Sequence, residues 1–232
     1  MFPLRDNIPS KSLPIINWLL ILTNVAIFFY TVFFLNQQQA EAVIYKYGLI
    51  PDQVRFGGLT SLNEVRITLI RPFLSNMFLH GGWGHIISNM WILFIFGDNV
   101  EDRMGKIGYF MFYILCGLIA SFTHFILYRH SGVPAIGASG AISGVMAAYM
   151  FMFPKSNILS LVPIIIIPLF IPIPALIYIG LWFIGQLLSG ASSLMLSSNA
   201  TGIAFWAHIG GFLGGLLIYR IFDTSRRKVV YT

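Results

Sequence analysis

Apolar and polar positions along this chain alternate in long blocks rather than in the short periods of a soluble fold. The runs at 15–35, 83–103, 107–127, 139–153, 174–188 and 204–222 are predominantly apolar, and a membrane span needs ~20 such residues. The expected fold class is an all-α polytopic membrane protein with six transmembrane helices, forming one domain over residues 1–232. The first run exceeds the ~7–15-residue apolar core of a signal peptide and reads as an uncleaved span. Residues 36–82 hold Glu41, Lys46, Asp52, Arg55, Glu64, Arg66 and Arg71. They are too polar to cross lipid and too many for a tight connection, so a long loop with structure of its own is expected. Residues 158–175 are apolar but carry Pro163, Pro168, Pro172 and Pro174. Those prolines exclude one regular helix and predict an irregular approach to the fifth span.

Composition sharpens this reading. Of the 232 residues, 57% are hydrophobic and only 9% are charged. Soluble domains carry roughly 25% charged residues, and disordered chains combine low hydrophobicity with high charge. Both classes are excluded. The one cysteine, Cys116, rules out a disulfide framework. A net charge of +6 reports orientation and contact with anionic headgroups in a membrane chain, not nucleic acid. One side collects Arg5, Lys11, Arg103, Lys106, Lys155, Arg220, Arg226, Arg227 and Lys228; the other has Lys46, Arg55, Arg66, Arg71 and Arg129. Nine against five favours both termini in the cytoplasm. The expected location is a prokaryotic plasma membrane. The chain shows no internal repeat, which disfavours a transporter built on paired halves.

No Asp, Glu, Lys or Arg falls at mid-membrane depth, so candidate chemistry rests on weaker polar groups, each of which needs a reason in hydrocarbon. Most have ordinary ones. A serine in a span bonds its own upstream carbonyl, and Asn17, Asn24 and Gln186 read as interhelical partners. His124 and His130 receive no role.

Three stretches resist that reading. In Gly137-Ala138-Ser139-Gly140-Ala141-Ile142-Ser143-Gly144 a serine stands at a helix start, where backbone N–H groups are free and the dipole favours a developing oxyanion. In Ala204-Phe205-Trp206-Ala207-His208-Ile209-Gly210-Gly211-Phe212-Leu213-Gly214-Gly215 a histidine precedes two interleaved glycine pairs. Such pairs allow close helix approach, and the fourth span has its own at Gly140 and Gly144. If these faces meet, His208 comes within reach of Ser139. In His80-Gly81-Gly82-Trp83-Gly84-His85-Ile86-Ile87-Ser88-Asn89, His85 and Asn89 share one helix face and can both donate hydrogen bonds. His-x3-Asn without a neighbouring carboxylate or cysteine is a poor zinc site, so neither a metal nor a cofactor is expected. A helix from 139 to 153 rises only ~22 Å against ~30 Å of hydrocarbon. Ser139 should therefore lie roughly 8 Å below one surface, at the base of a water-accessible hollow.

These stretches, with Met77-Phe78-Leu79 before His80 and with Gly97-Asp98-Asn99-Val100-Glu101-Asp102, resemble the rhomboid family of intramembrane serine proteases over nearly the whole chain. The resemblance implies a serine–histidine dyad without an acid partner: Ser139 as nucleophile and His208 as general base and later acid. It further implies an oxyanion hole from His85, Asn89 and the Ser139 N–H, and single-span transmembrane proteins as substrates. Two departures stand out. Many members carry Trp-Arg where this chain reads Ile70-Arg71-Pro72-Phe73, so that loop should be anchored differently. Many also place an aromatic ring four residues after the nucleophile, where this chain has Ser143, leaving Trp206 or Phe205 to orient His208. The alternative is a catalytically silent relative that binds membrane helices. Retention of both Ser139 and His208 argues against it. The oligomeric state is left open.

Overall fold

The structure, a computed structural model, describes residues 1–54, 61–164, 167–195 and 204–224. Arg55 and the basic Arg226-Arg227-Lys228 tail, used above to orient the chain, lie outside the described residues. Among the described residues, four helices are long and apolar enough to cross a membrane: α1 (Ile15–Phe33), α6 (Lys106–Leu127), α8 (Ala175–Met195) and α9 (Phe205–Phe222). Helix α5 (Trp83–Met104) matches them in length, but its last turns carry Asp98, Glu101, Asp102 and Arg103. Helix α7 (Ser139–Met152) has 14 residues. The six expected spans therefore comprise four full apolar helices, one with a charged end and one short helix. Between α1 and α5 lie α2 (Gln37–Tyr47), α3 (Leu62–Val65) and α4 (Arg71–Ser75), so the long loop does carry its own structure. Within it, the Arg71 guanidinium stacks 5.4 Å from the centre of the Tyr47 ring.

The charged end of α5 ties down the terminal side of the molecule. Glu101 is 2% exposed, and its carboxylate accepts from the backbone N–H groups of Ile16 and Asn17 at the start of α1. A negative group there meets the positive end of the α1 dipole. Asp102 accepts from the backbone of Lys11 and Ser12, and Arg103 pairs with Asp223 at 2.6 Å beyond α9. Deeper in the bundle, Asn17 donates to the Leu93 carbonyl and accepts from the Tyr109 hydroxyl, joining α1, α5 and α6. Asn24 donates back to the Leu20 carbonyl within α1 and also interacts with the Tyr113 side chain of α6.

The glycines of α9 separate into two faces with different partners. A Cβ on Gly211 would collide with the Gly140 carbonyl oxygen, and one on Gly215 would lie 2.5 Å from the Gly144 Cα. Gly210 and Gly214 instead face Thr123 and Ile119 of α6. Helix α9 thus sits in the groove between α6 and α7, as close as backbones allow.

One feature of the fold was not expected. Where residues 158–175 were expected to form an irregular approach, the described residues 157–164 and 167–174 form most of an antiparallel sheet. Strands β1 (Phe2–Asp6), β2 (Asn157–Ile164) and β3 (Ile167–Pro174) pair in the order β1-β2-β3. Pro163 stands opposite Pro168, a pair with no N–H to exchange. Pairing alternates along an antiparallel ladder, so Leu159↔Pro172 and Asn157↔Pro174 are also positions where no ladder bond is due. The prolines that exclude a helix cost this hairpin nothing.

Candidate active site

Ser139 opens α7, so its backbone N–H has no partner within the helix. The preceding loop is held by the long 36–82 segment. Leu49 and Ala135 exchange backbone hydrogen bonds, and the Gly137 N–H donates to the Asn76 carbonyl at 2.9 Å. Non-helical backbone at this depth is thus satisfied by protein. Gly137 has φ +125°, and a Cβ there would press on the His85 ring at 2.6 Å. Glycine is needed at that position for both conformation and space.

The close approach of α7 and α9 brings Ser139 to His208, with Oγ 2.7 Å from Nε2. On the far side of the imidazole, Nδ1 lies 2.8 Å from Gln186 Oε1. An amide oxygen only accepts, so Nδ1 carries the hydrogen and donates it. Nε2 is then the lone-pair nitrogen, free to accept the Ser139 hydroxyl. Gln186 was read from sequence as an interhelical hydrogen-bond partner, and it is one; what was not foreseen is that its partner is His208. Its place beside His208 depends on the rotation of α8, which turns the face holding Trp182 and Gln186, four residues apart, toward the imidazole. The ring beside His208 is also not one of those expected. Trp206 donates to the Gly190 carbonyl instead, whereas Trp182 of α8 lies 6.1 Å from the imidazole, tilted by 32°. Ser143 donates to the Ser139 carbonyl at 2.6 Å, bracing the first turn of α7.

A cavity of about 650 Å³ opens over this pair, lined by His85, Asn89, Ser139, Ser143, Trp182 and His208 among others. Asn89 Nδ2 is buried and has no hydrogen-bond partner among the described residues. It is a donor with nothing to donate to. His85 reaches the same space, its Nδ1 accepting a long 3.5 Å hydrogen bond from the Gly81 N–H. His80 packs edge-on against His85, ring centres 4.9 Å apart. Burial, reinforced by the adjacent His85, pushes His80 down to about 3, so it is a neutral neighbour. All four residues singled out from the sequence (Ser139, His208, His85 and Asn89) therefore meet around one cavity. No group of three or more metal-ligating side chains occurs among the described residues.

Behind Ser139 lies a second chamber of about 20 Å³, lined by Asn76, Ser121, His124, Gly137 and Ser139 among others. That is room for about one water molecule. His124, assigned no role above, lies here at 9% exposure with Nδ1 unpaired among the described residues.

A family model described as Rhomboid domain matches residues 68–224, well over half of the chain. The chain belongs to the rhomboid family. This rhomboid is 29% identical over 162 residues to Rhomboid protein 1, mitochondrial, of Saccharomyces cerevisiae, covering 67% of this chain and 43% of that protein. It is 25% identical over 169 residues to RHOMBOID-like protein 12, mitochondrial, of Arabidopsis thaliana, covering 66% of this chain and 46% of that protein. A shorter match, 35% over 75 residues, joins it to Rhomboid-like protein 11, chloroplastic, of the same plant, covering 32% of this chain and 26% of that protein. The chain spans less than half the length of these relatives. Their names also correct one expectation. The relatives are mitochondrial or chloroplastic, which points to organellar membranes and overturns the prokaryotic plasma membrane read from the sequence. Counting Lys and Arg by side orients the spans but carries no information on which membrane holds them.

Proposed function

We propose that this rhomboid is an intramembrane serine endopeptidase that hydrolyses a peptide bond in or near the transmembrane segment of single-span membrane proteins. The observation that carries this reading is the 2.7 Å contact between Ser139 Oγ and His208 Nε2 at the wall of an open cavity. In the first step Ser139 Oγ attacks the scissile carbonyl while His208 Nε2 takes its proton. The resulting oxyanion is held by the Ser139 N–H, the Asn89 amide and His85. His208 then returns the proton to the leaving amine, and the chain remains as an ester on Ser139. A water molecule, for which the chamber beside His124 has room, attacks that ester with His208 taking its proton; the bond to Ser139 Oγ then breaks, His208 returns the proton to that oxygen, and the new carboxyl end leaves.

Gln186 is the positioning residue of this scheme, because its amide oxygen holds His208 in the tautomer that can accept from Ser139. Gln186→Leu is expected to lower kcat by ~10–10²-fold with KM little changed, since a misdirected base weakens only the reacting geometry. Gln186→Glu, which keeps an acceptor facing Nδ1, should recover much of the loss. A kcat for Gln186→Leu equal to wild type would remove Gln186 from the mechanism.

The experiment that tests the function is incubation of the purified protein in bilayers with a panel of single-span proteins, with products identified by mass. The expected result is cleavage within or close to a transmembrane segment by the wild type and none by Ser139→Ala. A panel left intact by both, or cut equally by both, contradicts the proposal. The former result favours a protein that binds membrane helices without cutting them.

A further inference from the structure

The sheet does not lie on the aqueous face of the molecule. Strand β1 runs along α5, and its contacts act as a ruler. Near one end, Asn99 donates to the Asp6 carboxylate; near the other, the Trp91 indole donates to the Pro3 carbonyl and stacks on Phe2. Asn99 and Trp91 are eight residues apart, so β1 climbs ~12 Å from the charged end of α5 into the depth of the bundle. Strand β2 climbs beside it, Ile158 opposite Asp6 and Leu161 opposite Phe2. It then continues to Ile164, another ~10 Å. The hairpin therefore reaches roughly 20 Å beyond the level of Asn99 in a layer ~30 Å thick.

Its chemistry suits that depth. From Ser156 to Pro174 the chain has no charged residue, and Ile164, Ile167 and Phe170 are 51%, 59% and 60% exposed. An open sheet edge is normally barred from hydrocarbon because its N–H groups find no partner. Here the register turns Pro168, Phe170, Pro172 and Pro174 of β3 away from β2. Three of those four outward positions are prolines, so Phe170 alone presents an N–H on that edge. The same lack of donors prevents a further strand from adding there.

We infer that the β2–β3 hairpin is embedded in the membrane, with Ile164, Ile167, Leu169 and Phe170 in contact with lipid acyl chains. The prolines, placed where no ladder bond is due, let the exposed edge tolerate that contact. The inference rests on the membrane-spanning helices and on the ruler of α5, and is independent of proteolysis.

The chain offers a clean test because its one cysteine, Cys116, is buried. In a Cys116→Ser background, Phe170→Cys and Ile167→Cys would each carry a bimane label, with Lys11→Cys as the aqueous control. The proteins would be reconstituted in phosphatidylcholine vesicles with or without lipids bearing a nitroxide on the acyl chain. The expected result is blue-shifted emission at 170 and 167, lost to the nitroxide lipids and protected from iodide, with the reverse at 11. Quenching of 170 and 167 by iodide would overturn the inference by placing the hairpin in water. Protection from both quenchers, with disulfide-linked dimers on oxidation of Phe170→Cys, would overturn it in favour of a contact between two copies.

Discussion

Ser139→Ala is expected to abolish proteolysis of a single-span substrate, and His208→Ala to do the same, while both proteins should remain folded in the bilayer. Each removes one half of the 2.7 Å contact. Losing either the nucleophile or the base of such a pair costs on the order of 10⁶ in kcat. The two act as a unit, so the double variant is expected to be no slower than either single one. Folding survives because the apposed glycine faces of α7 and α9, not the Ser–His bond, set how close these helices lie. Quantified cleavage together with thermal unfolding checks both halves of this expectation. Substantial residual cleavage by either variant would assign the chemistry elsewhere.

The second large effect is expected at Asn89. In the free protein its Nδ2 is buried and bonds to nothing among the described residues, and an unpaired buried donor is costly to keep. In the mechanism proposed above, a transition-state oxyanion is the acceptor that gives it a use. Asn89→Ala is expected to lower kcat by ~10²–10³ with KM nearly unchanged, because the lost bond exists only in the transition state. Thermal stability should hold or rise, since the variant deletes an unsatisfied group rather than a bond. A variant that loses stability and keeps its kcat would make Asn89 a structural residue. His85→Ala should show a less uniform loss, because that ring also packs against His80 and the loop at Gly137.

The parts of this molecule that were legible in the sequence are those fixed by local spacing. Glycines four apart on two helices announced a close contact, and the contact carries Ser139 to His208. Histidine and asparagine four apart on α5 announced one face, and both line the cavity. The short apolar run from 139 announced a short helix, and α7 begins at Ser139 with 14 residues. The parts that were not legible depend on distant pairing or on rotation. Strand β1 meets β2 across some 150 residues, and nothing in the first six residues marks them as its partner. Four prolines signalled a break in the helix, yet their shared alternation fits a strand, and only the register of β2 and β3 makes that visible. Gln186 and Trp182 reach His208 because of the way α8 is turned; their spacing of four puts them on one face, but which neighbouring helix that face meets is set by tertiary packing. His124 was assigned no role from the sequence, whereas the packing of α6 directs it to the chamber behind Ser139.

The central claim is that the Ser139 hydroxyl is made nucleophilic by His208 in a cavity open to reagents. Its most direct measurement is labelling by a serine-reactive fluorophosphonate in bilayers, with the modified peptide identified by mass. The predicted result is a single adduct on Ser139 in the wild type, far slower labelling of His208→Ala, and none of Ser139→Ala. Equal labelling of all three proteins, or none of the wild type in a bilayer where it is folded, would contradict the account.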